Sequence, residues 1–290
     1  MLGAEPEFLQ FDVPGVSGSH KLACTRWGNH NARHTVLCVH GLTRNGRDFD
    51  YLARALAEDY QVLCPDMAGR GKSQFLPDAS GYNNASYVSD VVFMLAALGI
   101  THVHWIGTSM GGIMGMMAAN SNPGLIDALV LNDIGALIPA SGLARIRDIA
   151  DFKTSFDTKE EAEAVFRKRC EHFGIREEAQ WQQLLAYGIE NRNGQFAFTY
   201  DPAIFSIGFS KDAPLADVNL WPLWQAVTGI PVLLIRGMQS DILLHETAVE
   251  MQSRHPRLTF YEIADTGHAP ALMDAKQIAL IQNWINATHT

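Results

Sequence analysis

A serine with glycines two positions away on either side, Gly107-Thr108-Ser109-Met110-Gly111, follows an apolar run containing Val103, Trp105 and Ile106. Small and apolar residues continue beyond it at helical spacing to Asn120. G-x-S-x-G between a strand and a helix is the setting that places a nucleophilic hydroxyl on a sharp, strained turn. A side chain at Gly107 or Gly111 would crowd the neighbouring strand and helix, and glycine removes it while tolerating unusual dihedrals. Ser109 would then stand at the strand's end, at the positive end of the following helix. A serine hydroxyl is a weak nucleophile at neutral pH and needs a base within hydrogen-bond reach. An imidazole held in one tautomer by a carboxylate meets that need. The chain has 11 histidines, so residue type alone does not choose the base.

The elements that must position Ser109 are legible as alternating strands and helices. Residues 7–13 and 22–27 read as an opening antiparallel hairpin, with Pro14, Gly15 and Gly18 between them. Residues 35–39 form a continuous apolar run, which suits a strand covered on both faces. A helix over 48–60 follows, with Asp48 as its expected N-cap, and then a strand ending at Pro65-Asp66. Residues 82–98 have helical periodicity and stop at Gly99. After the helix that follows Ser109, residues 128–133 give another buried strand. The alternation predicts βαβ units and a parallel sheet.

Gly71-Lys72-Ser73 invites comparison with a phosphate-binding loop. That motif needs glycine five positions before Gly71, where Asp66 stands, so a tight turn leaving a strand is the better account. From 135 to 221 the alternation breaks. Helical segments are expected over 143–152, 159–173 and 177–187, with frequent aromatics and no buried strand. A stretch this long is an inserted subdomain rather than a connection. Strand, helix, strand and helix then return at 231–237, 245–253, 258–263 and 271–287. The expected division is a core of 1–134 and 222–290 with a cap of 135–221.

Composition narrows the function classes. A net charge of −9 argues against a nucleic-acid partner. No run is long and apolar enough to span a bilayer. The N-terminus is acidic and lacks a basic start and an apolar h-region, so no signal peptide is expected. Cys24, Cys38, Cys64 and Cys170 lack metal-site spacing. Three of them fall in strand-like apolar runs, where a reduced thiol is the expected state and a cytoplasmic location follows. No motif calls for a metal, nucleotide or flavin, so no cofactor is expected. The oligomeric state is not assigned.

Taken together, the motifs resemble the α/β-hydrolase superfamily. They are Ser109 in its G-T-S-M-G, His40-Gly41 after an earlier strand, and the D-x-x-G-x-G-x-S run from Asp66 to Ser73. Ser240-Asp241 after a late strand and Gly267-His268 near the end complete the set. The resemblance implies a mostly parallel central sheet flanked by helices, with 135–221 as an inserted helical cap. The chain order of this family is Ser, then Asp or Glu, then His. It assigns the base to His268, in the loop before the last helix. Two carboxylates qualify as its partner. Asp241, in the family's usual place, is preferred, and Asp133, ending the strand 129–131, is the position that some relatives use. Asp265 reads as a turn residue. The resemblance also implies that the backbone N–H groups of Met110 and Leu42 would hold an oxyanion. His40 is read as a brace for its loop. Arg44, Asn45 and Arg47 could hold a substrate carboxylate, but a solvated loop is the preferred reading.

The function implied is that of a serine-dependent carboxylic ester hydrolase acting on small to medium apolar esters or lactones. A serine at position 109 excludes the dehalogenase and epoxide-hydrolase branches, which need a carboxylate nucleophile. Carbon–carbon bond hydrolysis and cofactor-free perhydrolysis on the same residues stay open. So does a receptor-like binding protein of low turnover.

Overall fold

The computed structural model describes residues 5–16, 18–150, 153–206 and 214–288. The continuous apolar runs form buried strands at the centre of the fold, over Thr35–Val39, Val103–Thr108, Ile126–Asn132 and Val232–Gly237. In chain order the strands begin with β1 (Glu7–Val13), β2 (His20–Trp27), β3 (Thr35–Val39), β4 (Gln61–Asp66), β5 (Val103–Thr108) and β6 (Ile126–Asn132). Five short strands follow: β7 (Leu137–Ile138), β8 (Ser155–Phe156), β9 (Ile189–Arg192), β10 (Gln195–Phe198) and β11 (Val218–Asn219). The last two are β12 (Val232–Gly237) and β13 (Leu258–Ile263). The central sheet has eight strands in the order β1-β2-β4-β3-β5-β6-β12-β13. β1 and β2 pair antiparallel, as do β2 and β4, and every pairing from β4 to β13 is parallel.

The sheet is α/β because both of its faces are covered. Along β3, Val36 and Cys38 face one core, and Leu37 and Val39 face the other. The first core is closed by α1 (Asp50–Leu56) and α9 (Ala275–Ala287), through Leu52, Leu56, Ile281 and Ile285. The second is closed by α2 (Asn84–Ala97) and α3 (Met110–Ser121), with α8 (His245–Ser253) beside β12. Two-sided burial is why these strands lack a polar-apolar alternation. The helix expected over 48–60 is shorter than its periodicity promised. A 3-10 turn, Gly46–Phe49, comes first, and its N-cap is Asn45 rather than Asp48.

Between β6 and β12 the chain forms α4 (Ala140–Ala150), α5 (Lys159–Arg169), α6 (Glu178–Gly188) and α7 (Trp221–Ala226). Phe152, the expected end of the first of these helices, lies outside the described residues. The expectation of a purely helical insertion is corrected. β8, β10 and β9 form a small antiparallel sheet, with Phe156 and Phe198 buried in it. β7 and β11 pair as a two-stranded ribbon where the chain leaves the large sheet and returns to it. Among the described residues no helix is long and apolar enough to cross a membrane.

Candidate active site

The turn from β5 to α3 is as tight as its glycines require. Ser109 has φ 52° and ψ −113°, a conformation that L-residues rarely adopt. A Cβ on Gly107 would lie 2.3 Å from the Gly111 carbonyl oxygen, and one on Gly111 would lie 2.1 Å from that of Val39. The elbow is therefore pressed against the end of β3, which brings the His40-Gly41-Leu42 loop alongside Ser109. The Ser109 N–H donates to the Asn132 carbonyl at 3.0 Å, tying the turn to the end of β6. The Asn132 side chain donates to Thr108 Oγ1 at 3.0 Å and to the Pro270 carbonyl at 2.8 Å, so one buried amide links the elbow to the His268 loop.

His268 Nε2 lies 2.9 Å from Ser109 Oγ, and its Nδ1 lies 2.8 Å from Asp133 Oδ2. The partner of the imidazole is thus Asp133, and the preference for Asp241 is corrected. Asp133 is completely buried. Its Oδ1 accepts the Gly237 N–H at 2.8 Å, and its Oδ2 also accepts the Ser240 hydroxyl at 2.5 Å. Three donors around one buried carboxylate offset the cost of taking the charge out of water. Asp241 turns toward the insertion. It accepts two hydrogen bonds from Arg145 of α4, Nε to Oδ2 at 2.5 Å and Nη2 to Oδ1 at 2.8 Å. Partial burial raises the Asp241 pKa, but the hydrogen bonds and charge of Arg145 outweigh it and hold the carboxyl below its ordinary value. The loop after β12 therefore supplies Ser240, a support for Asp133 that the sequence reading passed over, in place of the carboxylate expected from it.

The His268 loop is held from the insertion as well. The Gly267 N–H donates to the His172 carbonyl at 2.7 Å, and the Ala271 N–H to that of Phe173 at 3.0 Å. Asp265 lies in the preceding turn, with φ 54° and a largely exposed side chain, as a turn residue should.

The N–H groups of Leu42 and Met110 have no acceptor among the described residues, and both flank Ser109. Arg70 is buried behind them. Its Nε donates to the Leu42 carbonyl at 2.9 Å, its Nη1 to the Ala68 carbonyl at 2.7 Å and to the Tyr87 hydroxyl at 2.5 Å. Its Nη2 lies 3.9 Å from Met110 Sδ. Sequence reading took the stretch around Arg70 only as a tight turn, and a turn it is. Asp66 accepts the Gly46 and Lys72 N–H groups at 2.7 and 2.8 Å, and a Cβ on Gly71 would collide with its carboxylate. The turn's further effect is to aim a guanidinium at the Leu42 carbonyl, in the peptide that joins Leu42 to Thr43.

His40 braces this loop. Its Nδ1 lies 2.7 Å from the Gly41 carbonyl and its Nε2 2.9 Å from the Met67 N–H, which fixes a neutral tautomer that donates at Nδ1 and accepts at Nε2. Burial pushes its pKa from about 6.5 down to about 3, with the charges of Arg70 and Arg44 adding to the fall and the Gly41 hydrogen bond opposing it. In the unfolded chain the same imidazole takes up a proton near its ordinary pKa. Its contribution to stability is therefore present above about pH 6.5 and is lost as pH falls toward 3. The stability gap between the wild type and His40→Gln should narrow by about 1.4 kcal/mol per pH unit below that point. Urea unfolding of both proteins at pH 7.5 and 5.0 measures it, and a gap that does not change with pH would contradict this protonation state.

Ser109 and His268 open into a cavity of about 1100 Å³, its mouth included, walled by both the core and the insertion. Ile146, Ile149, Phe166, Phe173, Phe198 and Phe205 give it the expected apolar character. Arg44, Arg145 and Arg169 give it a cationic character that was not expected. The reading of 44–47 as a solvated loop is corrected. Arg44 and Asn45 are buried because the insertion docks on them. Arg44 pairs with Asp48, at 2.7 Å from both Nε and Nη2, and lies 4.6 Å above the Phe166 ring. Asn45 donates to the Tyr187 carbonyl at 2.9 Å and to Thr199 Oγ1 at 3.2 Å, and Arg47 lies 3.8 Å above the Tyr187 ring.

A serine on a strained strand-to-helix turn is thus joined by hydrogen bonds through an imidazole to a buried carboxylate. The family model described as alpha/beta hydrolase fold matches residues 34–274. A 3-hydroxybutyrate-oligomer hydrolase of Cupriavidus necator is 40% identical over 287 residues, covering 96% of this chain and 97% of that one. Among solved structures, an alpha/beta hydrolase from Novosphingobium aromaticivorans is 34% identical with a TM-score of 0.85, covering 98% of this chain and 99% of that chain. A crystal structure of a Rickettsia typhi protein is 32% identical with a TM-score of 0.89, over 98% of this chain and 99% of that chain. The chain belongs to the α/β-hydrolase family. It is an enzyme, and its relatives are consistent with a carboxylic ester hydrolase.

Proposed function

We propose that the protein is a serine esterase that cleaves short oligoesters of 3-hydroxyalkanoate type, with Ser109, His268 and Asp133 as catalytic residues and residues 135–221 as a cap. The observation that carries the reading is the continuous hydrogen-bonded path from Ser109 Oγ through His268 to Asp133 at the floor of the cavity. His268 Nε2 takes the Ser109 proton as Oγ attacks the ester carbonyl. Asp133 keeps Nδ1 protonated and steadies the imidazolium that forms. The N–H groups of Leu42 and Met110 receive the developing oxyanion. His268 then returns the proton to the leaving alcohol, and water, activated by the same imidazole, releases the acyl group from Ser109.

The substrate class rests on the likeness to the Cupriavidus necator hydrolase and on a cavity with apolar walls and cationic groups. The trimer of 3-hydroxybutyrate tests it, with products followed by chromatography and a fluorophosphonate probe applied to the same preparation. Release of dimer and monomer, abolished by a single adduct on Ser109, is the expected result. An adduct without release from the oligomer would overturn the substrate class. The absence of an adduct would overturn Ser109 as the nucleophile.

A further inference from the structure

Among the described residues lining the cavity are three guanidinium groups and one carboxylate, Asp48, with Asp241 paired to Arg145 beside them. Two of the three are occupied by neighbours. Arg44 spends Nε and Nη2 on Asp48 and Nη1 on Cys170 Sγ at 3.9 Å, and Arg169 donates to the Tyr200 hydroxyl at 2.8 Å and the Ile149 carbonyl at 2.9 Å. Arg145 differs. Asp241 grips it along one edge, through Nε and Nη2, and Nη1 has no partner among the described residues. Its side chain is 34% exposed, on a helix that covers the same cavity as Ser109 and His268.

We propose that Arg145, held in place by Asp241, binds the free carboxylate at the end of the substrate, so that the enzyme selects ester acids over neutral esters. The proposal rests on the esterase reading above. An arginine fixed on one edge presents its remaining N–H groups with little rotamer freedom left to lose, which favours an ionic hydrogen bond to an anion. The ester group of a hydroxyacid oligomer lies a fixed number of bonds from its terminal carboxylate. An anchor at that carboxylate therefore sets which carbonyl reaches Ser109. Asp241, expected from the sequence to act on His268, becomes a positioning residue for substrate recognition.

The test compares the 3-hydroxybutyrate dimer acid with its terminal carboxamide, which has the same ester bond and no charge. The readout is the ratio of kcat/KM for acid over amide, which a general loss of activity leaves in place. The wild type should favour the acid by about 10- to 100-fold, the range of one hydrogen bond to a charged group. Arg145→Gln should bring the ratio near one, chiefly through KM for the acid. Arg145→Lys should restore part of it, and Asp241→Asn should lower it to an intermediate value. A wild-type ratio near one, or a ratio that Arg145→Gln leaves unchanged, would overturn the proposal while the esterase reading stands. Failure to cleave either dimer or a p-nitrophenyl ester would overturn the esterase reading and this proposal with it.

Discussion

Ser109→Ala should lower kcat/KM on any ester by at least about 10⁴-fold while the protein remains folded. The hydroxyl does not hold the fold together. The backbone N–H of Ser109 is what ties the turn to Asn132, and alanine keeps it. What the fold stores at this position is dihedral strain. With φ at 52° and ψ at −113°, any residue with a Cβ is held in a sparsely populated region, at a cost of about 1–3 kcal/mol. Ser109→Gly should therefore be as inactive as Ser109→Ala but melt at a higher temperature. A calorimetric melt of the three proteins, set beside their turnover of a p-nitrophenyl ester, checks both halves. Retained turnover in Ser109→Ala would remove the serine from the mechanism. A glycine variant no more stable than the alanine variant would mean that the elbow carries no strain.

The elbow at Ser109 was legible because everything that shapes the turn is local. The two glycines, the apolar strand before and the small-residue helix after all lie within twenty residues. The parallel sheet was legible for a related reason, since β3, β5, β6 and β12 are buried on both faces and read as continuous apolar runs. What was missed is long-range. Arg44 and Asn45 look like a solvated loop until the insertion packs on them, and Arg70 looks like part of a turn until the fold places Leu42 beside it. The small sheet of the insertion left a signal that could have been used. Asn193-Gly194 joins β9 to β10 with φ of 53° and 91°, a pairing that marks a two-residue hairpin turn. The helical periodicity that leads up to it, over 143–152, 159–173 and 177–187, and the frequent aromatics mask that signal.

The choice between the two carboxylates was hidden for a geometric reason, and it yields the second large effect. β6 and β12 are neighbours in register, Ile235 opposite Asn132. Asp133 and the loop holding Asp241 therefore leave the sheet side by side, and residue order alone cannot say which one reaches His268. The hydrogen bonds decide it. Asp133 has three donors converging on it from Gly237, Ser240 and His268, whereas Asp241 is taken up by Arg145. Asn at position 133 must place an N–H₂ group either where Oδ2 stands, against His268 and Ser240, or where Oδ1 stands, against the Gly237 N–H. In the first orientation it would select the wrong tautomer at Nδ1. In the second it would leave two buried donors facing each other. Asp133→Asn should accordingly lose about 10³- to 10⁴-fold in kcat on neutral and anionic esters alike, along with about 1–3 kcal/mol of stability. Asp241→Asn should leave turnover of a neutral p-nitrophenyl ester within a few-fold of the wild type, because nothing it touches handles the Ser109 proton. Steady-state kinetics of the two variants on that single ester separate the roles. A larger loss in Asp241→Asn than in Asp133→Asn would return the acid's role to Asp241 and would require the loop after β12 to rearrange during turnover.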